Sequence, residues 1–437
     1  MSPTFHSLGV RNYRVYAAGG IVSNVGTWMG RVAQDWLVLT ILTDHSAVAL
    51  GLVTGLQFLP FLILAPWAGM IADRFPKRAI LLVTQTALLV TALALAVLTA
   101  LGVVELWHVY ALALIQGVAT AIDNPARQTF VSEMVDQEQI PNAVALNSAS
   151  FNLGRLVGPG LAGLLIAWFG VAPALFVNAA SFVFVLVALT MMNADELTPV
   201  PRAQGKGQIR EGLRYVRGRP DIILILFLVF VLGTFGMNFQ VTTALMATMV
   251  FHKGAGEYGI LGSIMAVGSL TAALLSARRP EPRLRVLLAA LAGFTASTAV
   301  LSVAPSYEVF AVLLVPTGLA ALTALTTANA MVQTSVDPMV RGRVMALYMA
   351  IFMGGTPFGA PLIGWIGDTW GPRWTIAIGT IMVGLSLAVV ALWFTRRNNV
   401  AVTFQTQSRP RLQISLSSPS GSVGDGSAIP TSPEVLR

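Results

Sequence analysis

Long apolar runs follow one another along most of the chain, parted by short polar connections. A helix needs about 20 apolar residues to cross a bilayer. On that measure the pattern predicts twelve spanning helices, at roughly 14–42, 48–70, 79–101, 106–126, 142–168, 172–193, 221–246, 257–277, 284–304, 308–333, 343–366 and 373–395. Two connections are longer than the rest. Residues 127–141 are expected to carry helical extensions beyond the bilayer. Residues 194–220 divide the chain into an N-terminal half, 1–193, and a C-terminal half, 221–397. Within this linker, Ile209, Leu213 and Val216 alternate with Arg210, Arg214 and Arg217 at helical spacing, which predicts an amphipathic helix on the membrane surface. The Ser- and Pro-rich tail, 398–437, is expected to be disordered.

Charge fixes an orientation for this count. Arg74, Lys77, Arg78, Arg127, six bases in 194–220, Arg278, Arg279, Arg283, Arg285, Arg341 and Arg343 fall on one side, with Arg11, Arg14, Arg396 and Arg397 at the ends. The other side holds only Lys253 and Arg373. Basic connections stay in the cytoplasm, so both termini are expected inside a multi-pass cell-membrane protein. A reporter fused after Lys206 should therefore read cytoplasmic and one after Ser306 external; a swap at either site means a miscounted helix. Composition agrees: 55% hydrophobic and 11% charged residues, mean hydropathy +0.73, against about 25% charged in soluble domains. The net charge of +8 is the loop bias, so no nucleic-acid partner is expected. The chain has no cysteine, hence no thiol metal site, and no P-loop for ATP. Neither metal nor cofactor is expected.

Ionisable groups inside spans are costly and mark function. Arg31 and Asp35 lie one turn apart on the first helix, below Asn24, Thr27 and Trp28 on much the same stripe. That stripe must avoid lipid and face an interior cavity. Asp35 is the candidate proton-coupling residue; an internal Arg31–Asp35 ion pair is the structural alternative. Arg155, mid-span on the fifth helix, is a candidate for an anionic substrate or for pairing with Asp35. Gln57 and Gln116 are further cavity candidates. Asn178, Asn238, Gln240, Asn329 and Gln333 read as interhelical hydrogen-bonders. Trp36, Phe58, Phe61, Phe235 and Phe239 offer stacking surfaces. No catalytic constellation appears, and the chain is not expected to be an enzyme.

An internal repeat supports two halves. Asn124, Gln128 and Thr129 recur as Asn329, Gln333 and Thr334; Gly158, Gly163 and Gly170 recur as Gly359, Gly364 and Gly371. Gly69-Met-Ile-Ala-Asp73-Arg74-Phe-Pro76-Lys77-Arg78 joins the second and third helices. It resembles the G-x-x-x-D-R-x-G-R-[RK] loop of the major facilitator superfamily, with Pro76 and Lys77 as departures. Gly154-Arg-Leu-Val-Gly158-Pro159-Gly160-Leu-Ala162-Gly163 is similar to the antiporter signature G-x-x-x-G-P-x-x-G-G of that superfamily. Asn12-Tyr13-Arg14, Arg31 to Trp36, Asn124 to Gln128, Asn142 to Ser148 and Arg341 to Met345 resemble the branch that contains the enterobactin exporter.

The resemblance implies an all-α membrane protein of twelve helices in two pseudo-symmetric six-helix bundles. It implies alternating access and export of a small amphipathic compound (a drug, a siderophore or a hydrophobic metabolite) in exchange for protons. It also implies a conformational latch that holds the outward-open state. Asp73 would meet the N-terminus of helix 11 near Gly342–Met345, and Arg74 and Arg78 would pair with Asp123. The seam of Gly154, Gly158, Pro159 and Gly163 would seal helix 5 against helix 8. The expected partners are the substrate, protons and the lipid bilayer, with the chain a monomer. An uptake symporter or a lipid flippase of the same fold remains the alternative, as does a non-transporting membrane receptor.

Overall fold

A computed structural model describes residues 3–198, 208–279, 281–337, 340–398, 400–405 and 411–416. Its helices are α1 (Arg11–Trp36), α2 (Ala47–Arg74), α3 (Lys77–Ala100), α4 (Leu106–Met134), α5 (Ile140–Phe169), α6 (Val171–Met191), α7 (Gln208–Arg217), α8 (Pro220–Val231), α9 (Phe239–Leu245), α10 (Ala255–Ala277), α11 (Leu284–Ser302), α12 (Tyr307–Ser335), α13 (Arg341–Gly354), α14 (Thr356–Trp370) and α15 (Pro372–Asn398). Twelve spans result. A π turn at Leu37–Leu42 extends α1; α8 and α9, with π turns at Leu232–Gly236 and Met246–Val250, make the seventh span; α13 and α14 make the eleventh. Eleven spans are apolar enough to cross a membrane on composition alone. The first is not, because Asn12, Ser23, Asn24, Thr27, Arg31, Gln34 and Asp35 dilute it. Its polar groups turn inward instead. Asn12 Nδ2 donates to Asn193 O at 2.9 Å, and Asn24 Nδ2 to Ser150 Oγ at 2.9 Å.

The chain divides into two compact units, Met1–Leu387 and Ala388–Arg437. In the first, α1 packs on α5 and α6, α3 on α4 and α6, and α2 on α4; α10 and α11 both pack on α12. These are two six-helix bundles. Two seams join them, α2 against α14 and α5 against α10. The repeat read from the sequence explains the seams. Gly163 leaves no room for a Cβ against the Ala255 carbonyl at the start of α10, and Gly364 leaves none against the Ala47 carbonyl at the start of α2. Gly170 and Gly371 end α5 and α14 with φ of 84° and 96°. That left-handed conformation suits glycine at a helix C-terminus.

The 127–141 connection is helical to Met134 and again from Ile140, with a short 3-10 turn at Gln137–Gln139. The linker helix α7 docks on α13. Gly212 abuts the Arg343 backbone and Val216 is buried, while Leu213, Arg214 and Arg217 are exposed. In the second unit, where the sequence suggests disorder, Val400–Gln405 pairs antiparallel with Arg411–Leu416, Val402 opposite Ile414. Both strands alternate apolar and polar residues in part, the two-residue period of a strand. The remainder of the tail lies outside the described residues.

Exposed aromatic residues ring the face opposite the basic loops: Trp107, Trp168, Phe169, Trp365, Trp370 and Trp374. Such rings suit a membrane–water boundary.

Candidate functional site

A cavity of about 530 Å³ lies between the bundles. Every cavity residue selected from the sequence lines it: Asn24, Trp28, Arg31, Asp35, Gln57, Gln116 and Arg155. The α1 stripe puts Asn24, Thr27, Trp28 and Arg31 on one wall. Gln57, Phe58 and Phe61 arrive from α2, Gln116 and Thr120 from α4, and Arg155 from α5. Of the aromatic candidates, Phe58, Phe61 and Phe239 also line it. Trp36 stacks on Tyr258, ring centroids 6.2 Å apart.

Asp35 is 1% exposed. Its Oδ2 accepts from Gln240 Nε2 at 2.7 Å and from Tyr258 Oη at 3.0 Å. Gln240 is on α9 and Tyr258 on α10, so this carboxylate joins the N-terminal bundle to the C-terminal one. No ion pair joins Asp35 to Arg31 among the described residues. Asp123 is the other acid on the cavity wall. It is 4% exposed and fully engaged: Arg127 Nε donates to its Oδ2 at 2.7 Å, Thr84 and Gln85 to its Oδ1 at 2.7 and 2.8 Å.

The latch expected for the outward-open state is not assembled in the state seen here. Arg78 donates instead to Leu189 O at 2.8 Å and Thr190 O at 3.2 Å, the free carbonyls ending α6. Arg127, one turn from Asp123 on the same helix, reaches it without any rearrangement of helices. Asp73 and Arg74 are exposed, with no hydrogen bond or ion pair among the described residues, and a Cβ on Gly69 would meet nothing.

At the opposite end of the same two spans a cap is formed. Asp368, near the end of α14, accepts from Ala47 N at 2.7 Å, Val48 N at 3.0 Å and Ser46 Oγ at 3.1 Å. Its charge meets the free N–H groups and positive dipole at the start of α2. Ala167 stands at the repeat-related position, so the cap belongs to one seam only. Below it, Gly51 and Gly55 press on the Ala360 and Pro357 carbonyls.

The glycine signature on α5 divides between two neighbours. Gly154 rests on Asn24, and Gly158 on Trp28 Cβ and the Val25 carbonyl, all on α1. The expected helix 5–helix 8 seal falls to Pro159 and Gly163, which meet Gly259 and Ala255 on α10; Gly160 N also donates to Ser263 Oγ at 3.2 Å. The reason is the helical period: residues 154 and 158 share a face that 159 and 163 do not. Both seams thus close at the end away from the basic loops. At the basic end, Asp73, Ser148, Ala149 and Gln333 are exposed.

Sequence reading did not single out Tyr258, which carries no polar pattern on its helix. It placed Arg127 among orienting charges, although its spacing from Asp123 was the signal for a pair.

Comparison with known proteins agrees with this geometry. A family model described as transmembrane secretion effector matches residues 2–424. The staphyloferrin A transporter of Staphylococcus aureus is 26% identical over 85% of this chain and 92% of its own length. The multidrug efflux pump Tap of Mycolicibacterium fortuitum is 26% identical over 86% and 94%. The enterobactin exporter EntS of Shigella boydii is 25% identical over 83% and 85%. Among solved structures, a bacterial homologue of the human lysosomal transporter Spinster, inward-facing and unoccupied, superposes with a TM-score of 0.71, covering 90% of this chain and 97% of that one at 14% identity. That likeness is one of fold, the fold of major facilitator transporters.

Proposed function

Because the chain belongs to the transmembrane secretion effector family, we propose that it exports a small amphipathic compound across the cell membrane by alternating access, in exchange for protons. The observation that carries the reading is the cavity, sealed at one end by the α2–α14 and α5–α10 seams and open at the other. By the basic-loop rule the open end faces the cytoplasm, as does each terminus. Relatives named for staphyloferrin A, enterobactin and multiple drugs support a small-molecule substrate. The whole cavity comes from one chain, so a monomer suffices.

Asp35 is the carboxyl that exchanges the proton. It is the cavity acid without a cation at ion-pair distance, so protonation breaks no salt bridge; Asp123 is bound to Arg127. Its two partners are on the other bundle, so its charge bears directly on whether the far end stays closed.

The latch works at both ends of the α2 and eleventh-span pair. Asp368 caps α2 in the state seen here. In the state open to the far side, Asp368 leaves α2 and Asp73 meets the start of α13. The chain has no natural cysteine, so Thr54→Cys, on the cavity wall near the closed end, serves as a clean reporter. A cap worth about 1 kcal/mol predicts about fivefold faster labelling from the far side in Asp368→Ala, and slower labelling in Asp73→Asn. Equal rates in all three proteins would sink the two-ended latch.

Export itself is tested in everted vesicles, where the basic loops face the medium. Energised vesicles containing the protein should concentrate members of a panel of anionic, neutral and cationic amphipathic fluorophores. Uptake no greater than in vesicles without the protein contradicts the reading.

A further inference from the structure

Resting on that transport reading, we propose that the substrate carries an anionic group beside an aromatic or conjugated plane, and that Arg31, Arg155 and Trp28 hold it. The Arg31 guanidinium carbon is 5.0 Å from the centroid of the Trp28 ring, and that of Arg155 is 5.8 Å from it. Arg31 also lies 6.0 Å from the Phe58 ring. The two cations come from different helices and repel one another. They are brought together by Gly158, which lets Trp28 lie directly on α5.

Such an arrangement lacks a partner. A cation within a bilayer is costly unless matched by an anion. Elsewhere this protein supplies the match: Arg127 has Asp123 at 2.7 Å, and Lys77 has Glu133 at 2.6 Å. Neither Arg31 nor Arg155 makes a hydrogen bond or ion pair among the described residues. Asp35 attracts Arg31 without reaching ion-pair distance, and its Oδ2 is taken by Gln240 and Tyr258 on the other bundle, so the guanidinium N–H donors stay unfilled. Ring faces attract the guanidinium groups, yet each such contact is worth only about 0.5–2 kcal/mol and leaves the N–H donors free. A carboxylate, sulfonate or phosphate satisfies those donors in the planar fork that guanidinium presents. Trp28, Phe58 and Phe61 then offer faces for the apolar part of the same molecule. A neutral compound leaves both cations unmatched, and a cationic one is repelled.

Three probes of one ring system separate these cases: naphthoate, naphthamide and naphthylmethylammonium. Equilibrium dialysis of each against the purified full-length protein should show naphthoate bound at least about tenfold more tightly than naphthamide, and the ammonium compound least of all. Arg31→Gln and Arg155→Gln should each weaken naphthoate by about tenfold to a hundredfold while leaving naphthamide unchanged. Arg155→Lys should recover only part, since an ammonium has no planar fork. Equal binding of naphthoate and naphthamide overturns the proposal. So does a loss of both probes alike in the glutamine variants, which marks the arginines as structural. Binding is read here without transport. Charge selectivity in a protein that moves nothing would overturn export alone, whereas transport with no preference for naphthoate would overturn only this inference.

Discussion

Asp35→Asn should load substrate and carry it downhill, yet lose all accumulation driven by a pH gradient. Asparagine keeps the shape and an acceptor oxygen, and one oxygen of Asp35 already receives both Gln240 and Tyr258. The contact between the bundles therefore survives, and what disappears is the exchangeable proton. Substrate flux in proteoliposomes, with and without an imposed pH gradient, separates the two behaviours. A variant that still accumulates substrate against its gradient shows that the proton travels elsewhere and leaves Asp35 as a bond between bundles.

The second large effect is on stability. Asp123→Ala leaves the Arg127 side chain, 21% exposed, without its acid, and takes an acceptor from Thr84 and Gln85. Breaking one side of a buried pair costs about 3–5 kcal/mol. The purified variant should unfold at a clearly lower temperature than the parent. Asp123→Leu combined with Arg127→Met should regain much of the loss, because no unmatched charge remains. An unchanged melting temperature in Asp123→Ala would mean that water or lipid headgroups already screen the pair, and that Asp123 is free for another role.

Much of the fold was legible because bilayer thickness imposes one length on every span. The starts and ends of α3, α6 and α11 fall within a few residues of those read from hydropathy. The first span escapes a composition test, yet its polar stripe, read as cavity-facing, does line the cavity. Local spacing carried that information. The repeat carried more than its few matches suggested, since Gly163 and Gly364 each sit against the first turn of a helix in the other bundle. What sequence could not give is which partners meet across the gap. Asp368 reads as an ordinary loop acid until α2 is placed opposite it. Arg78 has several acceptors within reach of its long side chain, and in this state it takes the α6 carbonyls while Arg127 takes Asp123. Tyr258 reaches Asp35 only because two helices 223 residues apart in the chain close at one end. Conformational state decides these contacts, and no linear pattern encodes a state.

Proton-coupled export is measured with the parent protein in proteoliposomes oriented with the basic loops outward. An acid lumen should drive accumulation of amphipathic substrate inside, with protons leaving as substrate enters, and a protonophore should collapse it. Accumulation that requires the opposite gradient, with substrate and protons moving together, would mean uptake by symport instead of export.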